Sequence, residues 1–193
     1  MLSDRFMHPT YLIRKKIFSF FGAKFHIYDP NGNLVFYSNM KPFRLREDIR
    51  LYTGEAMEDE VLLIRARTIL DFSTAYDVID SKTDERVGAL KRRGFKSAIR
   101  DEWILMGGEG GEIGSIKEDS MFFALLRRFL TSLIPQKYSA FVGGTEVCTF
   151  KQNFNPFVLK IRADFSQDNN GLLDKRLGLA AAILLCGVEG RQK

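Results

Sequence analysis

The chain has only two cysteines and two histidines, and this scarcity removes whole classes of chemistry. Cys148 lies in a strand-like run and Cys186 in an apolar C-terminal segment, so there is neither a disulfide framework nor a C-x-x-C metal clip. His8 and His26 stand outside any recognisable nucleophile context, and no G-x-S-x-G occurs. Asp101 and Glu102 are adjacent; on a strand they face opposite ways, so they do not form a general acid–base pair. The sequence predicts no enzyme, no cofactor and no metal requirement. Long apolar runs are missing as well. The longest, Leu177 to Val188, is too short to span a bilayer, and the first residues carry no apolar signal-peptide core, which leads to the expectation of a cytoplasmic protein, peripheral at most to a membrane.

Two loops are rich in side-chain oxygen without meeting the needs of calcium. With Gly171 placed sixth in an EF-hand register, the twelfth position is Leu177, and in the loop from Asp29 the twelfth is Met40; both sites require a bidentate glutamate. Both segments read as turns. Gly107-Gly108-Glu109-Gly110-Gly111 lacks the lysine and hydroxyl residue of a phosphate loop, and no helix follows it at once, so it reads as a hairpin turn.

What is abundant points to β structure. Seventeen phenylalanines and sixteen glycines accompany short alternating runs in a chain of 193 residues, 45% hydrophobic and 27% charged, whose length suits one domain over residues 1–193. Lys24–Asp29 and Leu34–Ser38 flank Pro30-Asn31-Gly32-Asn33, a turn that accepts positive φ, and so predict a hairpin. Three further hairpins follow at 75–90, 102–116 and 138–150, with additional strands at 11–20, 48–52, 60–67, 95–100 and 156–165. In the last of these Phe157, Leu159, Ile161, Ala163 and Phe165 alternate with Lys160, Arg162 and Asp164, giving one core face and one wet face. So many strands in series either leave edges or close, and a barrel is the expectation.

Two segments break the pattern. From Ser120 to Ile134, Phe122, Leu125, Leu126, Phe129, Leu130 and Leu133 recur at helical spacing before Pro135, predicting an amphipathic helix on the outside of the barrel. From Leu173 to Val188 the chain is apolar on every face after its first turn, which predicts a helix buried all round, along the barrel axis.

The opening Tyr11-Leu-Ile-Arg-Lys-Lys-Ile-Phe-Ser, the hairpin from Phe25 to Tyr37 and the closing Asp164-Phe-Ser…Leu173-Asp-Lys-Arg-Leu-Gly-Leu-Ala-Ala-Ala-Ile-Leu-Leu resemble the tubby C-terminal-like superfamily, most nearly its LURF-one-related members. The likeness covers nearly the whole chain and implies a closed antiparallel barrel of about twelve strands around a central C-terminal helix. Its implications for function diverge: tubby domains bind phosphoinositide head groups, scramblases are associated with calcium and membranes, and LURF-one-related proteins have no settled biochemical role.

A net charge of +5 and a pI near 9.2 favour an anionic partner. Arg14, Lys15 and Lys16 form one cluster, and Lys91, Arg92, Arg93 with Lys96 another; together they are the candidate site for an anionic phospholipid head group. Arg65/Arg67 and Lys160/Arg162 are i,i+2 pairs, each pointing to one face of a strand, but cations at such positions also serve simply to solvate strands and blunt edges. The competing expectation is a protein-interaction domain docking through the Phe122/Phe123 end of the amphipathic helix. Nucleic acid is disfavoured, because the aromatics read as core positions and not as a stacking platform.

Overall fold

In the computed structural model the described residues are 4–16, 23–40, 48–68, 74–92, 102–119, 136–153 and 158–188. They form twelve strands and a helix: β1 (Thr10–Lys16), β2 (Ala23–Tyr28), β3 (Leu34–Met40), β4 (Ile49–Tyr52), β5 (Glu60–Thr68), β6 (Thr74–Asp80), β7 (Arg86–Arg92), β8 (Glu102–Gly107), β9 (Glu112–Glu118), β10 (Lys137–Val142), β11 (Thr145–Asn153), β12 (Val158–Asp164) and α1 (Lys175–Val188). Every strand pairs antiparallel with its neighbours in sequence, and β1 pairs with β12 from Thr10↔Asp164 to Lys16↔Val158, so the sheet closes on itself and has no edge.

The expected closed barrel and buried C-terminal helix are therefore present. The predicted strand at 95–100 and the amphipathic helix at 120–134 lie outside the described residues, and β1, predicted to run to Phe20, is described as far as Lys16.

Side-chain alternation decides what faces inward. On β1 Tyr11 and Ile13 are buried, and on β12 Leu159, Ile161 and Ala163, while Arg14 and Arg162 between them are exposed. The interior is filled by α1, whose apolar residues from Leu177 to Cys186 are each no more than 2% exposed. The helix packs against β12 and β1 on one side and β6 and β7 on the other, strands that stand opposite each other in the ring, so it runs through the barrel and not across its surface. Gly178 makes this fit possible: a Cβ there would lie 2.4 Å from Cε1 of Phe165.

The helix is fixed at both ends. At its start the Arg176 guanidinium, on a side chain only 8% exposed, donates to Asp174, to Asp80 at the end of β6 (2.7 Å) and to Glu85 in the turn before β7 (3.0 Å). Near its far end the Lys15 ammonium of β1 donates to the Cys186 carbonyl at 3.2 Å and lies over the Phe25 ring, satisfying a last-turn carbonyl where a cation is favourable. Beside the helix start, Phe6 stacks on Phe36 with ring centroids 4.5 Å apart, and Arg5 donates to the carbonyls of Val35 and Thr53. The turns at this rim are short. In the β2–β3 turn the Asp29 carboxylate accepts from the backbone N–H of Asn31 and Asn33 and from Asn33 Nδ2, and Gly32 takes φ +85°.

Candidate anion-binding face

The barrel separates the described members of the two cation clusters that the sequence singles out. β1 and β7 stand opposite each other in the ring of twelve, so Arg14–Lys16 do not share a side of the molecule with Lys91 and Arg92. The pleat then divides each cluster. Arg14 is exposed on the outer face, whereas Lys15 continues the inward set of Tyr11 and Ile13, is 8% exposed, and spends its charge on α1. The expectation of Lys15 in a surface cluster is thereby corrected. Lys16 ends β1. On β7, Lys91 takes an outward position opposite Ala75 and Ile104, while Arg92 takes an inward register opposite the buried Trp103. Arg93 and Lys96 lie outside the described residues.

A different grouping emerges where β1 closes against β12. Across that seam Arg14 stands opposite Lys160, and Leu12 opposite Arg162. On the far side of β12, Lys151 of β11 stands opposite Arg162 and Asn153 opposite Lys160. On the other side of β1, Arg14 faces His26 of β2. Arg14, Lys151, Lys160 and Arg162 thus share one outer face of adjacent strands, β1, β12 and β11. None of the four has a carboxylate partner among the described residues. Elsewhere on the barrel many cations are paired, Arg50 with Glu60, Arg65 with Asp48, Arg67 and Arg86 with Asp77, and Lys137 with Asp119, while Lys24 and Lys91 stand without a carboxylate among the described residues but not in a group of four.

Two acids border the face. Burial pushes the Asp164 carboxyl up, but hydrogen bonds from Ser166 and the charges of Arg162 and Lys151 outweigh it, so the group is held below its ordinary range. Asp29 is likewise held low, first by the Asn33 side chain. Between β1, β2 and β12 lies an open cavity of about 330 Å³ lined by Thr10, Leu12, Arg14, Tyr28, Asp29 and Arg162 among others. The Arg14 guanidinium sits over the Tyr28 ring, 5.7 Å from its centroid. His26 is turned to Glu55 at 3.2 Å and packs edge-on against Tyr37.

No group of three or more His, Cys, Asp or Glu among the described residues is arranged to hold a metal ion. In both oxygen-rich loops the carboxylate is engaged by its own backbone: Asp29 as above, and Asp168 by the N–H groups of Leu172 and Leu173. The Cys148 thiol is pushed well up by burial and lies in the core. No described helix is long and apolar enough to cross a membrane. No family model matches the chain, and neither does any curated protein or solved structure.

Proposed function

We propose that this chain is a non-catalytic binding domain, related to the tubby-like proteins it resembles, that meets anionic phospholipid head groups at a membrane surface through its β1–β12–β11 face. The observation that carries the reading is the set of four cations, Arg14, Lys151, Lys160 and Arg162, on neighbouring outward positions with no salt-bridge partner among the described residues, bordered only by the Asp164 carboxylate that Arg162 and Lys151 help hold ionised. A cation near an anionic bilayer contributes about 1 kcal/mol, and its field is screened within about 8 Å at physiological ionic strength. Scattered cations therefore do little, whereas strands about 4.8 Å apart hold each of these four within range of at least one other, Arg14 beside Lys160 and Lys151 beside Arg162. Paired cations elsewhere are already neutralised by their own carboxylates.

Sedimentation with phosphatidylserine-containing and neutral phosphatidylcholine vesicles tests the reading. Binding is expected only to the anionic vesicles, to weaken steeply with salt, and to be lost in Lys151→Glu/Lys160→Glu/Arg162→Glu. Equal pelleting with both vesicles, or an unaffected triple variant, would remove the lipid reading and leave a protein partner in its place.

A further inference from the structure

We infer that the cavity between β1, β2 and β12 is a seat for a single phosphomonoester group, gripped from two sides by Arg14 and Arg162. The inference rests on the surface reading above and sharpens it from general attraction to a stereochemical site. Arg14 and Arg162 both line the same cavity. Their residues are diagonal neighbours across the β1–β12 seam, a spacing of roughly 7–8 Å that two long side chains close around one tetrahedral anion.

The residue types matter. A guanidinium presents a rigid fork of N–H donors matched to phosphate oxygens, whereas an ammonium is a point charge. Arg14 is already held over the flat Tyr28 ring, which reduces the freedom it loses on binding. Asp29 also borders the cavity and keeps its charge, but its oxygens are turned to Asn31 and Asn33 of its own turn and form no salt bridge with either arginine, so both guanidinium forks keep their donors for an anion. A volume of about 330 Å³ accommodates a phosphate and part of the alcohol it esterifies. A terminal monoester carries about −1.5 to −2 charges at neutral pH and offers three acceptor oxygens. A phosphodiester carries a single charge and fewer free oxygens, so two guanidinium forks distinguish the two classes.

The test compares phosphatidic acid with phosphatidylserine in phosphatidylcholine vesicles matched for surface potential. Three proteins are used: the unaltered chain, Arg14→Lys/Arg162→Lys, and Lys151→Gln/Lys160→Gln. The unaltered chain should prefer phosphatidic acid about tenfold, the magnitude of one charge-assisted hydrogen bond gained. The double lysine variant keeps every charge, and should retain binding to phosphatidylserine while losing the preference. The glutamine variant should weaken on both lipids with the preference intact. Release from phosphatidic acid vesicles by millimolar glycerol 3-phosphate would show that a free phosphomonoester also fills the seat; resistance to release would mark the lipid-borne group as its ligand. Vesicle binding without a preference, or a preference that survives Arg14→Lys/Arg162→Lys, overturns the seat and leaves the surface reading standing. Glycerol 3-phosphate binding that the lysine variant abolishes, without binding to any vesicle, would overturn the surface reading and leave the seat.

Discussion

Ser38 faces the interior from β3, directly opposite Phe25, with none of its surface exposed, and its Oγ has no hydrogen-bond partner among the described residues. A buried hydroxyl left without a partner carries its full desolvation cost, so Ser38→Ala should stabilise the protein by about 1 kcal/mol, read as a higher urea midpoint at unchanged slope. A lower midpoint would mean that the hydroxyl is bonded after all. Lys15 is the opposite case: an inward cation whose ammonium has found a helix carbonyl. The two residues show that the wall of this barrel admits polar side chains and that what each one costs depends on the atom it meets.

The start of α1 is held by charges brought together from three parts of the chain. Asp80 is pushed up by burial, but hydrogen bonds from Arg176 and the backbone of Lys82, with the Arg176 charge, bring it below its ordinary range. A carboxyl depressed in the folded state adds stability that is complete above about pH 5 and is lost as the pH falls through the folded value. Arg176→Met should therefore cost about 3 kcal/mol at neutral pH by stranding its partners, and should make the fall in melting temperature between about pH 5 and 3 shallower. Glu85 is the exposed partner and contributes little of this. Some acid sensitivity remains in the variant, because Asp164 is also held low. An acid limb as steep as that of the unaltered protein would refute the role of the cluster. The elements were largely legible in the sequence: β12 announces itself by strict alternation, and α1 by being apolar on every face. The candidate site was less legible. Grouping cations by adjacency ignored the pleat, although Tyr11 and Ile13 already showed that Lys15 would turn inward. No local signal could join Arg14 to Lys160 and Arg162, because that face exists only once β1 has paired with β12, about three quarters of the chain away.

Taken whole, the molecule is a ring of strands with a helix for its core, and neither holds without the other. Leu184 is 1% exposed within α1, and an aspartate there would be an unpaired charge costing several kcal/mol, against a total stability of about 5–15. Leu184→Asp should fail to give a cooperative melt, whereas Leu184→Met, which preserves volume, should melt within a few degrees of the unaltered protein. A cooperatively melting Leu184→Asp variant would show that the helix is dispensable. The seam between β1 and β12 also sets the order of events at the ribosome. The first strand made must wait for the last, and the apolar inner wall has no permanent cover until α1 has emerged. During synthesis the growing sheet presents an unpaired margin and a greasy concavity to the surrounding solution, the form in which β proteins are captured by chaperones or lost to aggregates. Closure is then slow, because it joins distant parts of the chain. The seam that leaves the finished barrel without an edge makes its unfinished form the most vulnerable stage in the life of this protein.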